Sequence, residues 1–145
     1  MFVSIDQGKL PEAQTSLSAG YDVFSNEELE ILPGERKLIK LGIKLDTSKF
    51  KTKDIKNLYL GLYLRSSLGN KKGMSIPNGM GLIDIDYKDE IMMILINLSK
   101  EKFVINRYDR LGQLVFQKHY GKKLLGDSFR KASLREGGLG STGVK

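Results

Sequence analysis

Residues 37–46 read KLIKLGIKLD. The odd positions, Ile39, Leu41, Ile43 and Leu45, are all aliphatic, while Lys40, Gly42 and Lys44 take the even ones. A period of two places the aliphatic set on one side of an extended chain and the lysines on the other, which predicts a half-buried strand. Residues 58–65, LYLGLYLR, repeat the pattern: Leu58, Leu60, Leu62 and Leu64 alternate with Tyr59, Gly61, Tyr63 and Arg65, and the strand delivers Arg65 to its end. Residues 90–98, EIMMILINL, are apolar at successive positions, which predicts a strand covered on both faces, by a second sheet or by another subunit. FVINRYDRLGQLVFQK (103–118) adds two more strands around a polar turn. The segments LPGE, SIPNGMG and HYGKK supply turn chemistry, with Asn78-Gly79 read as a hairpin turn. Helical periodicity is confined to a turn or two at SSLGNKK and near KLLGDSF. These readings predict an all-β domain of short strands, a sandwich or barrel, over residues 1–132, followed by a flexible glycine-rich arm over 133–145.

At 145 residues the chain is large enough to bury a core without disulfides. It has no cysteine, which excludes disulfides and thiolate metal sites, and its single histidine, His119, excludes a multi-histidine zinc site within one chain. The N-terminus, MFVSIDQGKLPEA, has no basic stretch followed by a long apolar one, so no signal peptide is expected. The longest apolar run, IMMILI, is too short to span a bilayer. The expectation is a soluble, cytoplasmic protein that does not engage membranes. A formal net charge of +7 raises the local concentration of anionic ligands. Basic residues cluster in KFKTKDIK (49–56), at Lys71 and Lys72, and from Lys118 to Lys131. DNA, RNA and nucleotides are all compatible with that charge.

Five segments carry more polar and glycine residues than a β scaffold needs: SAGYDVFS, LRSSLGNKK, PNGMGLIDIDYKDE, YDRLGQLVF and the terminal REGGLGSTGVK. Each has a structural reading. Asn78-Gly79 suits a turn, Ser66 and Ser67 can cap a helical turn, and Asp84, Asp86, Asp89 and Glu90 are either solvated carboxylates or a loose divalent-cation site. The tail reads as a frayed terminus or as a run of open backbone N–H groups that can wrap phosphate oxygens.

In order and spacing, the five segments resemble the signature motifs of the homotrimeric dUTPase family. AGYD (19–22) resembles the first motif, RSSLG (65–69) the second, NGMGLIDIDY (78–87) the third, DRLGQL (109–114) the fourth and REGGLGSTG (135–143) the fifth. The resemblance runs from about Leu10 to the end of the chain. It implies a jelly-roll-like subunit, a threefold trimer whose active sites each draw motifs from all three chains, and hydrolysis of dUTP to dUMP and pyrophosphate assisted by Mg²⁺. By the same resemblance, Asp84 positions the attacking water and contacts the sugar 3′-hydroxyl. Asn78, the hairpin backbone after it and Tyr87 hold uracil and deoxyribose. Arg65, Ser66, Ser67 and Gln113 take the phosphates, with Asp22 as a supporting carboxylate near Arg65. Arg135, Ser141 and Thr142 close over the far end of the triphosphate, and Leu139 covers the base. With no all-carboxylate cage in the sequence, Mg²⁺ is expected to be held by phosphates and water rather than by direct protein ligands.

Three positions depart from the family pattern: Leu139 stands where the fifth motif usually has Phe, Asp89 where the third usually has Gly, and Gly112 where the fourth often has Ala. Two rivals remain. A dCTP deaminase of the same fold places a catalytic Glu along the strand after the third motif, where this chain reads IMMILIN. A non-catalytic β-barrel that binds single-stranded nucleic acid fits the charge and the tyrosines but not five ordered motifs, so nucleic acid is not the expected partner.

Overall fold

The computed structural model describes residues 1–121 and residue 124. Eleven strands and two short helices are present among them. The strands are β1 (Phe2–Ser4), β2 (Tyr21–Phe24), β3 (Leu29–Ile31), β4 (Arg36–Lys40), β5 (Ile43–Leu45), β6 (Leu58–Leu64), β7 (Met74–Ser75), β8 (Gly81–Asp84), β9 (Met92–Asn97), β10 (Phe103–Ile105) and β11 (Arg110–Lys118). The helices are α1 (Thr52–Ile55) and α2 (Ser66–Lys72). One four-stranded sheet has the order β2-β11-β6-β8, a three-stranded sheet has β4-β9-β7, and two ribbons pair β1 with β5 and β10 with β3. The pairings are antiparallel throughout. Leu60, Leu62, Ile83 and Leu114 from the larger sheet meet Ile39, Met93 and Leu95 from the smaller in one core, so the architecture is a sandwich. No helix among the described residues is long and apolar enough to cross a membrane.

The alternation in residues 37–46 is real, since Ile39, Leu41 and Ile43 are fully buried, but the segment is two strands rather than one. β4 pairs with β9, whereas β5 pairs with β1. The break falls at Gly42, whose φ of +66° is a left-handed conformation that favours glycine. The Glu90 carboxylate accepts the Gly42 N–H at 2.9 Å, satisfying the donor that the break removes from the ladder.

Within a single chain β9 is fully covered on one face only. Ile91, Met93, Leu95 and Asn97 are buried, while Met92, Ile94 and Ile96 are only half-buried, so one face lies in the core and the other is apolar and partly open. The Asn78-Gly79 turn does not close a hairpin: β7 before it pairs with β9, and β8 after it pairs with β6, so the turn carries the chain from one sheet to the other. α1 arises within the basic run 49–56, where no helix is expected, and buries no residue. The boundary at residue 132, most of KLLGDSF and the arm lie outside the described residues.

Candidate active site

Arg65 follows β6 directly, and its N–H donates to the Leu111 carbonyl of β11 at 3.1 Å before the chain turns into α2. Arg65 occupies the N-cap position with extended backbone angles and no side-chain cap. Ser66 and Ser67 therefore sit inside the first turn instead of capping it, directly after Arg65 in the chain.

β11 runs between β2 and β6, placing Gln113 opposite Asp22 on one side and Tyr63 on the other. Asp22 is 1% exposed, and its carboxylate accepts from Gln113 Nε2 at 3.0 Å and from Arg110 Nη1 at 3.2 Å. A carboxylate this deep needs such donors, because burial without them costs several kcal/mol. The resemblance implies Asp22 as a supporting carboxylate near Arg65; the hydrogen bonds that the carboxylate accepts come from Arg110 and Gln113. Sequence reasoning passed over Arg110, although it stands inside DRLGQL, a motif already singled out. Gly20, in the first motif, lies against Gln113, where an added Cβ would come within 3.1 Å of the glutamine Cβ.

A cavity of about 140 Å³ opens between β8 and β9, lined by Asn78, Gly81, Leu82, Tyr87, Ile91 and Met92 among others. The Tyr87 ring is buried there; its N–H donates to the Asp84 carbonyl at 3.1 Å and its O–H to the Glu90 carbonyl at 3.2 Å. Asp84 ends β8 as an exposed side chain. Among the described residues no three histidine or carboxylate side chains converge to hold a metal ion, and Glu90 is occupied in supporting Gly42.

The expected site residues thus form groups. Asn78 and Tyr87 share the cavity, Arg65 leads into Ser66 and Ser67, and Gln113 holds Asp22. Asp84 and Arg65 are not brought together, because Asp84 is in register with Tyr59, six positions along β6 from Arg65, roughly 20 Å at the rise of a strand. Arg135, Leu139, Ser141 and Thr142 lie outside the described residues.

The sequence profile of the dUTPase family matches residues 6–143. The chain belongs to the dUTPase family. It is 38% identical over 141 residues to the deoxyuridine 5′-triphosphate nucleotidohydrolase of variola virus, with 97% of this chain and 89% of the viral one covered. The dUTPase from Streptococcus mutans superposes with a TM-score of 0.70 at 28% identity, covering 81% of this chain and 94% of that one. A dUTPase variant from phage phi11 of S. aureus, whose structure concerns the coordination of a structural Mg(II) ion, superposes with a TM-score of 0.73, covering 94% of this chain and 98% of that one. At 20% identity that likeness bears on fold alone. The jelly-roll expectation therefore holds, as an open sandwich and not a closed barrel. Within this dUTPase, Gly112 has a local reason: an added Cβ would strike the Tyr63 carbonyl oxygen and come within 2.9 Å of Met93 Cε.

Proposed function

We propose that this chain hydrolyses dUTP to dUMP and pyrophosphate at sites assembled from more than one copy, with Asp84 orienting the attacking water. The activity follows from family membership over nearly the whole chain. The observation supporting a shared site is the separation along β6. A triphosphate cannot be held by Arg65, Ser66 and Ser67 while Asp84 of the same chain, roughly 20 Å away along the strand, serves the same substrate. A second copy presenting its own Arg65 group to the Asn78–Tyr87 cavity resolves this, and the half-buried apolar face of β9 is a surface such a copy would cover. The assembly is a homotrimer.

In this reading Asn78 and the turn backbone pair with uracil, and Tyr87 lies against the deoxyribose. A turn backbone that presents a donor and an acceptor to uracil leaves polar groups unpaired against cytosine, which can discriminate by about 10⁴-fold. Arg65, Ser66, Ser67 and Gln113 bind phosphate oxygens, with Gln113 oriented by Asp22 and Arg110. Arg135, Ser141 and Thr142 close over the distal phosphates, and Leu139 covers the base. A magnesium ion is held through the phosphate oxygens and water, an octahedral arrangement that needs few direct protein ligands. When bound, Mg²⁺ neutralises part of the triphosphate charge.

Pyrophosphate release from dUTP and dCTP in the presence of Mg²⁺ tests the activity: release from dUTP alone is expected, and ammonia from dCTP would favour the deaminase rival. Mixing tests the shared site. Asp84→Asn and Arg65→Ala chains, each inactive alone, should regain about a quarter of parental activity when co-assembled at equal amounts. No recovery would place both residues in one chain's site.

A further inference from the structure

Away from the site, α2 and the turn between β9 and β10 enclose a cleft of about 360 Å³ lined by Lys71, Lys72, Gly73, Ser99, Lys100, Glu101, Lys102 and Phe103. The residues come from two segments distant in sequence. Lys102 is paired with Glu30 at 2.8 Å, whereas Lys71, Lys72 and Lys100 make no ion pair among the described residues. Glu101 is the one carboxylate set against the four lysines that line the cleft, so its lining keeps a net positive charge.

The walls are nevertheless fixed. Gly73 caps α2 in a left-handed conformation, and its carbonyl accepts the Leu98 N–H at 2.9 Å. The facing turn is pinned by the fully buried Asn97, whose amide donates to the Glu101 carbonyl at 2.7 Å and whose Oδ1 accepts from Ser99 N and Oγ at 2.9 and 2.8 Å. The two walls meet closely, since a Cβ on Gly73 would come within 3.1 Å of the Ser99 Cβ. The backbone walls of the cleft are therefore preorganised, and a ligand has only the exposed lysine side chains to order.

We propose that this cleft is a second anion site, separate from the substrate site, that takes an oligophosphate of two or more linked phosphates. A single phosphate engages one wall. A linked pair spans Lys71 and Lys72 on the helix side and Lys100 on the turn side, supplying the charge-assisted hydrogen bonds that these three lysines lack. A nucleic-acid backbone needs an extended basic track rather than a bounded cleft. Free pyrophosphate and the phosphate chain of a nucleotide share the required chemistry.

The test is calorimetric titration of the full-length protein, its substrate site saturated with a non-hydrolysable α,β-imido analogue of dUTP. Tripolyphosphate, pyrophosphate, orthophosphate and ATP are titrated in separate arms. Tripolyphosphate is expected to bind once per chain, more tightly than orthophosphate. Binding should weaken about tenfold or more in a Lys71→Gln/Lys72→Gln/Lys100→Gln variant at about 0.1 M salt, with dUTP turnover unchanged. A Lys37→Gln/Lys40→Gln/Lys44→Gln variant, with the same loss of charge elsewhere, should bind as the parent does. ATP binding like tripolyphosphate identifies nucleotides as a source; ATP excluded while pyrophosphate binds identifies the free anion. No heat with any oligophosphate, equal weakening in both variants, or orthophosphate binding as tightly as tripolyphosphate would overturn the proposal.

Discussion

Replacing Gly112 by alanine tests a close approach between β6 and β11. The new methyl would strike the Tyr63 carbonyl oxygen and come within 2.9 Å of Met93 Cε and 3.3 Å of its sulfur. The methionine side chain can turn aside. The carbonyl cannot, because Tyr63 lies in the β6–β11 ladder and its displacement would disturb the pairing on either side. Overpacking of this kind costs about 1–3 kcal/mol. With an unfolding entropy of about 2.1 cal/mol/K per residue, each kcal/mol lowers the Tm of a chain this long by about 3 °C, so a drop of about 3–10 °C is expected. Gly69→Ala is the matched comparison. It lies within α2, where the nearest atom to an added Cβ is 3.6 Å away, and relief of glycine's backbone entropy should stabilise the protein by about 0.5–1 kcal/mol. Thermal unfolding followed by circular dichroism at one protein concentration reads both. The same chemical change should move Tm in opposite directions; a Gly112→Ala protein melting within about 1 °C of the parent would refute the argument.

Asp84→Asn should lower kcat for dUTP by about 10²- to 10⁴-fold while leaving substrate affinity nearly intact, which steady-state kinetics and analogue titration check together. Tyr87→Ala should raise UTP hydrolysis relative to dUTP by up to about 10²-fold; an unchanged ratio of kcat/KM values would mean that the sugar is read elsewhere. Asn97→Ala should cost about 2–4 kcal/mol, because the buried amide serves the Ile31 and Glu101 carbonyls and Ser99 at once, and the urea midpoint should fall without a change in m. Removing residues 135–145 should lower dUTP turnover strongly and leave dUMP affinity within a few fold, since dUMP lacks the distal phosphates that Arg135, Ser141 and Thr142 are proposed to hold.

What the sequence determined by itself were the features set by neighbours along the chain. A two-residue period depends only on strand geometry, so the buried Ile39, Leu41 and Ile43 and the all-β class followed from it, whereas in β6 only Leu60 and Leu62 of the expected set are buried and Gly61 between them is buried too. The order of five short motifs placed the chain in its family for a similar reason, because each motif is a local backbone shape with its side chains attached. The tertiary structure decided which strands lie side by side. Alternation in KLIKLGIKLD continues through Gly42; the glycine is a local mark of a break, but which sheet each half joins is not legible from it. Asp22 takes Arg110 and Gln113 as partners because β2 pairs with β11, a contact about ninety residues apart whose register no local rule specifies. The same pairing logic sets Asp84 at one end of β6 and Arg65 beyond the other, and brings Lys71 and Lys72 to face Lys100 across a cleft. These placements depend on sheet order and crossovers, which arise when distant hydrophobic faces are buried together and leave no periodic trace in the residues they bring into contact.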